Sequence, residues 1–267
     1  MKIMTASRSA YQASTGLLIL AMICVGTFSL CGWLVAWCLH GAYLKQDFLG
    51  MVLLSIGTLT VLKQIWKTRH YTKSILCSAT ADFPYHVQRQ FNQLGIDSSK
   101  VVLVQSVEPL AFCFDFLKPR ICLSTGLIDV LSSSQLQAVL LHEDYHRQRR
   151  DPLRMLAVKS IGAALFFLPF IQEWCRIFEI KLELDADRYA VQRTSRSALA
   201  GALHQLLKYS PRTFSISHTG VITSRLSANS ARIAALLGDR SKSERISIKS
   251  LISSTAILWI ICLLLMI

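Results

Sequence analysis

The chain has 267 residues, and its 29 Lys and Arg against 16 Asp and Glu give a formal net charge of +13. Only 17% of the residues are charged, compared with about 25% in an average soluble domain. With 12 Gly and 6 Pro the composition excludes a collagen-like or low-complexity chain. Two long stretches, 9–44 and 250–267, contain no formally charged residue, which excludes an ordinary soluble fold. We therefore interpret the chain as an integral membrane protein.

Three apolar stretches predict transmembrane helices, which need about 20 residues each. Residues 16–39 are long enough alone, and residues 48–62 reach a sufficient length if Lys63 extends its charge to the interface. Residues 251–267 form the third. The first stretch resembles a secretory signal, but it lacks a small-residue cleavage site and a second span follows closely. We therefore expect it to be retained.

The distribution of Lys and Arg predicts the orientation in the membrane. The loop 40–47 contains one of them, whereas residues 63–73 contain four and residues 232–249 contain five. This predicts a cytoplasmic N-terminus and an external C-terminus. The basic surplus then favours contact with anionic lipid; no direct nucleic-acid binding is expected. The predicted domains are a transmembrane hairpin (1–67), a cytoplasmic domain (68–249) and a C-terminal transmembrane helix (250–267).

The cytoplasmic region begins with short elements of both kinds. A helix is predicted over 83–94, because Pro84 stands near its start and Gly95 just after its end. Strands are predicted from β-branched, apolar runs at 101–105 and 120–123, and from an alternation of residues at 111–116. The remainder has a helical pattern. The sequence therefore predicts an α+β domain attached to membrane helices.

A helix with the motif HExxH carries the chemistry. Ser132 and Gln135 form the pattern of a capping box at its start. His142 and His146 are four residues apart, so they lie on one face and are close enough to bind one metal ion. Glu143 falls on the apolar face of the helix, where an unpaired carboxylate is costly. The motif explains it as the general base of a zinc-dependent hydrolysis. Exposed histidines beside a basic run are the alternative.

A second acidic helix supplies the remaining groups. Catalytic zinc sites often use two His and one Glu, and Glu183 is the candidate third ligand for one zinc ion per chain. Asp187, four residues later, is expected to hold the ring of a ligating histidine. The alternative is a solvated acidic face that forms salt bridges with Lys181 and Arg188. Residues 155–174 are too short and too interrupted by Pro169 to cross the bilayer, so we expect a membrane-associated hairpin that returns the second helix to the first.

The ordered motifs resemble those of the BlaR/MecR-type membrane zinc metallopeptidases. The resemblance rests on LKPRICLSTGLID (117–129), LSSS (131–134), HEDYH (142–146) and RRDPL (149–153). The ExxxD element of residues 183–187 is similar to that of the HtpX and CAAX prenyl protease group. The resemblance implies a zincin-like fold, zinc on His142, His146 and Glu183, and Glu143 as the base. It also implies that Asp187 and Asp151 support the ligands, and that the substrates are cytosolic or membrane-associated proteins, in several members transcriptional repressors.

The group that stabilises the oxyanion of a peptidase remains open between His218, Arg225 and Tyr189, with His218 as the candidate that we name. We predict a zinc-dependent membrane metalloendopeptidase whose partners are a protein or peptide substrate, the lipid bilayer and a repressor-type cytosolic protein. The alternatives are a catalytically silent membrane receptor or adaptor that binds a cytosolic partner, and a zinc hydrolase of lipids or small amides. The sequence leaves the oligomeric state open.

Overall fold

The computed structural model describes residues 82–209, 222–237 and 246–266, together with single residues and short runs between 55 and 80. These residues form two compact units. The first contains the described residues of 67–154 and 179–242, and the second contains those of 155–178, of 243–267 and before 67. The predicted span 16–39, most of 48–62, and His218 lie outside the described residues.

The elements begin with β1 (Ala79–Thr80), α1 (Tyr85–Leu94), a 3-10 turn (Ser98–Lys100), β2 (Val101–Val104), β3 (Ala111–Phe114) and β4 (Arg120–Ser124). The helices that follow are α2 (Thr125–Val130), α3 (Ser133–Gln148), α4 (Asp151–Ala164), α5 (Pro169–Arg193), α6 (Arg196–Tyr209), α7 (Ile222–Leu237) and α8 (Ile248–Met266). The described residues thus form a mostly helical protein with one small sheet. The predicted combination of helices and a sheet is confirmed.

The sheet has the strand order β1-β2-β4-β3. β2 and β4 are parallel, with Val101 beside Ile121, whereas β3 runs antiparallel to β4, with Ala111 beside Leu123. β3 ends earlier than predicted, because Asp115 has a φ of 71°, in the left-handed region that ends extended backbone. Within the described residues β3 pairs on one side only. It is therefore an edge strand.

The two faces of the sheet pack differently. On one face Leu103, Ile121 and Leu123 pack with Leu136 and Leu140 of α3 in the main hydrophobic core. The other face holds a smaller cluster of Val104, Phe114 and Cys122. Full burial of one such leucine or isoleucine contributes about 1.5–3 kcal/mol. The apolar residues of α3 therefore fix the HExxH helix against the sheet.

The helix ends follow local sequence signals. α3 begins with the predicted capping box, since Ser132 Oγ accepts from the Gln135 N–H and Gln135 Oε1 accepts from the Ser132 N–H. The short helix α2 was not predicted; Ser124 Oγ caps it by accepting from the Leu127 N–H. The predicted interruption near Pro169 is present, because α4 ends at Ala164 and α5 begins at Pro169.

Among the described residues, no helix is both long and apolar enough to cross a membrane. The side chains of α8 beyond Ile260 are outside the described part of the chain. The transmembrane segments, the domain boundaries and the membrane association of 155–174 therefore stay predictions.

Candidate metal centre

Three side chains from two helices converge in the first unit. α3 supplies His142 and His146, whose Nε2 atoms are 3.2 Å apart. α5 supplies Glu183, whose Oε2 is 3.4 Å from His142 Nε2 and whose Oε1 is 3.8 Å from His146 Nε2. The four-residue spacing of the histidines and the packing of α3 on the sheet place both rings on one side of that helix.

These distances fit a zinc site. Zinc–nitrogen bonds of about 2.0–2.1 Å in a tetrahedron place neighbouring ligand atoms about 3.3 Å apart. The three observed separations, 3.2, 3.4 and 3.8 Å, lie close to that value. Two histidines and one glutamate are also a known ligand set of catalytic zinc sites. His142, His146 and Glu183 therefore form a group that fits a zinc ion.

A carboxylate lies beside the Nδ1 atom of each histidine ring. Asp151 Oδ2 is 2.8 Å from His146 Nδ1 in a hydrogen bond. Asp187 Oδ1 is 2.9 Å from His142 Nδ1, in an ion-pair contact. Both contacts favour a proton on Nδ1 and leave the Nε2 lone pair for a metal. Both predicted supporting residues thus lie beside the histidines.

The charges of the centre are strongly coupled. Burial opposes ionisation of Glu183, but its contact with His142 and the charge of Arg232 outweigh burial and hold the pKa of Glu183 well below its usual range. The same groups lower the pKa of Asp187 against the effect of burial. Burial and Arg232 oppose a charge on His142, but its contacts with Asp187 and Glu183 prevail and raise its pKa to about 9. Both acidic side chains are therefore anionic at neutral pH.

Glu143 lies next to the metal group. It is 8% exposed, and its carboxylate makes no hydrogen bond or ion pair with any residue that the structure describes. Its negative charge acts on the thiol of Cys113 in the edge strand β3, where burial and then Glu143 raise the pKa of that thiol. Glu143 thus presents a carboxylate without a hydrogen-bond partner among the described residues, directly after His142 in α3.

The alternative of exposed histidines is wrong, and that of a solvated, salt-bridged acidic face holds only at Asp185. His142 and His146 are buried rather than exposed beside the basic run. Arg188 pairs with Asp185, at 2.8 Å, and not with the candidate third ligand or Asp187. Glu183 and Asp187 of α5 therefore lie beside the histidines of the candidate metal centre.

Sequence reasoning missed Arg232. The sequence analysis counts it only among the five basic residues of 232–249, before the last predicted span. In the structure its guanidinium, from α7, contacts both Asp187 and Glu183. An arginine flanked by Ala231 and Ile233 within an apolar helix pattern was the available signal. Its partners, 45 and 49 residues earlier, could not be read from spacing.

Comparisons with known proteins agree with this geometry. Residues 79–179 match the model of Peptidase family M48. The segment resembles an M48 metallopeptidase. It contains the sheet and both histidines, but it ends before Glu183. The match covers less than half of the chain.

Three relatives described as Protease HtpX homologs are also similar. The protein of Caldanaerobacter subterraneus subsp. tengcongensis is 32% identical over 76 residues, which are 28% of this chain and 25% of the relative. That of Thermodesulfovibrio yellowstonii is 28% identical over 112 residues, 40% of this chain and 39% of the relative. That of Thermoanaerobacter pseudethanolicus is 30% identical over 76 residues, 28% of this chain and 25% of the relative. This chain thus spans between a quarter and two fifths of their lengths. The names support the predicted likeness to HtpX; the BlaR/MecR type stays a prediction.

Proposed function

We propose that the protein is a zinc-dependent membrane metalloendopeptidase that hydrolyses peptide bonds of cytosolic or membrane-associated proteins. The observation that carries the proposal is the convergence of His142, His146 and Glu183, from two helices, beside the unpaired carboxylate of Glu143. The similarity to M48 peptidases and to HtpX homologs supports the same chemistry.

Each residue has a defined role in this proposal. His142, His146 and Glu183 would hold the zinc ion, which, when bound, polarises a peptide carbonyl and makes water more acidic. Glu143 accepts a proton from water and passes it to the leaving nitrogen. Asp151 and Asp187 orient the histidine rings. His218, outside the described residues, remains the candidate for stabilising the oxyanion.

The edge strand β3 suits the binding of an extended peptide. Protein edge strands usually carry charges, prolines or bulges that prevent pairing with another strand, but β3 reads Ala-Phe-Cys-Phe. Ala111 packs against the core on the α3 face, and Phe112 and Phe114 pack on the opposite face. A substrate strand added to the open edge of β3 would form backbone hydrogen bonds in the plane of the sheet, next to Cys113.

The second unit supports a membrane location. In this unit, the burial pattern of α8 is the reverse of that of a helix in water. Ser250 and Ser254 are buried, whereas Ile252 and Trp259 are 62% and 70% exposed. The serines bond inside the unit, Ser254 Oγ accepting from the Phe170 N–H at 3.0 Å. A helix that buries hydroxyls and exposes large apolar side chains fits hydrocarbon rather than water. Further exposed large apolar residues among the described part of this unit are Leu59, Trp66, Ile161, Phe166, Ile248, Leu251, Leu258 and Ile260.

The test of the proposed activity is the substitution Glu143→Gln. It should abolish cleavage and leave about one zinc per chain, because the general base is lost and all three ligands remain. Zinc is measured by metal analysis of the purified full chain, and cleavage by mass spectrometry of a peptide library. Cleavage that persists in Glu143→Gln would overturn the mechanism.

The variant Glu143→Gln also serves to identify the substrate. A repressor-type cytosolic protein is proposed from the BlaR/MecR resemblance. Comparison of cellular proteins between the parent and Glu143→Gln should reveal a repressor that is shortened only with the parent. A lipid or small-amide product instead would indicate another kind of hydrolase, and a partner that binds both proteins equally and is never cleaved would indicate an adaptor.

A further inference from the structure

Arg232 joins a third helix to the candidate metal centre. Its Nε donates to Asp187 Oδ2 and its Nη2 to Asp187 Oδ1, both at 2.8 Å. Its Nη1 is 3.1 Å from Glu183 Oε2. All three nitrogens of one guanidinium are thus engaged with the two functional carboxylates of α5, and the arginine side chain is 13% exposed.

The two carboxylates that Arg232 contacts both lie beside His142. Asp187 Oδ1, which accepts from Arg232, is also the atom 2.9 Å from His142 Nδ1. Glu183 Oε2, beside Arg232 Nη1, is 3.4 Å from His142 Nε2. Arg232 of α7 therefore contacts both carboxylates beside the His142 ring, Asp187 at its Nδ1 and Glu183 at its Nε2.

The geometry requires more than a positive charge. A planar guanidinium presents its donors in a fixed fork that matches a carboxylate, whereas the ammonium of lysine is a single point charge. Only the fork can bond to both oxygens of Asp187 and reach Glu183 at the same time. A role in positioning is therefore separable from a role in neutralising charge.

We infer that Arg232 is a positioning residue of the metal centre, which holds Glu183 and Asp187 in the orientation that binds zinc. The inference rests on the proposed function for the identity of the metal. It makes the centre a product of three helices, α3, α5 and α7, rather than of the two that carry the HExxH and ExxxD motifs.

Two models of Arg232 predict opposite results. If it only neutralises charge, Arg232→Ala should bind zinc more tightly, since a cation near the dication is removed, and Arg232→Lys should match the parent. If it positions the carboxylates, both variants should bind zinc more weakly, because groups that orient ligands typically contribute 10–100-fold to metal affinity. We expect a loss of about 10–100-fold for alanine and a smaller loss for lysine.

The experiment uses the full chain in detergent. Zinc affinity is measured by competition with a chromophoric chelator, and Co²⁺ in place of zinc reports the coordination geometry through its visible spectrum. Arg188→Ala is the matched control, because Arg188 pairs with Asp185 on the same helix and is 69% exposed. The control should keep the parent's affinity and Co²⁺ spectrum, and Arg232→Lys should change both.

Each outcome decides the inference. Unchanged or tighter zinc binding by Arg232→Ala, or a lysine variant identical to the parent, overturns it. If the alanine variant fails to fold, the lysine variant and its Co²⁺ spectrum decide alone. A parent chain that binds no zinc contradicts the proposed function instead, so the two failures are distinguishable.

Discussion

The hydrogen bond between Asp151 and His146 allows the effect of a supporting carboxylate on zinc affinity to be measured. Asp151 Oδ2 accepts from Nδ1 of the ring, and its other oxygen accepts from Arg154 at 2.7 Å. Asp151→Asn removes the charge that favours the Nδ1 proton, so zinc binding should weaken by about 10–100-fold. Zinc affinity measured against a chelator checks this expectation.

A buried acidic residue on the same helix provides the control. Asp144 is 4% exposed and bonds to Arg147 and Gln148, without contact to a candidate ligand. Asp144→Asn should lower stability and leave zinc affinity unchanged. Equal losses of affinity in the two asparagine variants would show that general destabilisation, rather than support of His146, explains the effect of Asp151.

At the scale of elements, a row of stacked side chains links the two motif helices. The Tyr145 and Tyr189 rings are 5.2 Å apart, and an arginine lies over each ring. Arg149, just after the end of α3, is 5.4 Å from the first ring, and Arg193 of α5 is 3.7 Å from the second. Ring pairs contribute about 0.5–1.5 kcal/mol beyond the area that they bury. The stack should therefore hold α3 and α5 together beside the metal group.

The contribution of this stack is measurable by a double-mutant cycle. Tyr145→Leu and Tyr189→Leu should each lower the free energy of unfolding, and the coupling between them should be about 0.5–1.5 kcal/mol. Urea unfolding of the parent, both single variants and the double variant gives the coupling. Strictly additive losses would mean that the rings do not connect the helices.

Some features of these elements depend on neighbouring residues in the sequence, and others depend on contacts between distant residues. The capping box at Ser132, the end of α1 at Gly95 and the HExxH face depend on residues within a few positions, so the sequence predicts them. Helix α2 was missed because its cap, Ser124, is held by a distant loop, where Ser124 Oγ donates to Glu108 O. Long-range contacts also decide the edge position of β3 and the ion pairs of Arg232, and no local pattern encodes them.

At the scale of the whole molecule, charge and apolar surface give two different reasons for a protein to bind a membrane. The chain has a formal net charge of +13, and attraction between exposed charges and anionic lipid is screened within about 10 Å at 0.1 M salt. The exposed apolar residues of α8, such as Ile252 and Trp259, would be stabilised by hydrocarbon, and salt does not screen that contribution. Salt therefore separates the two contributions.

Flotation of the full chain with lipid vesicles makes this separation. If α8 and the predicted spans lie in the bilayer, the chain should float with neutral phosphatidylcholine vesicles, remain bound in 1 M salt and resist extraction at alkaline pH. Vesicles with anionic lipid should add only a salt-sensitive increment, because the basic residues act at the surface. Release by 1 M salt alone would reduce the interaction to surface charge, and the exposed apolar face of α8 would then require a protein partner instead of lipid.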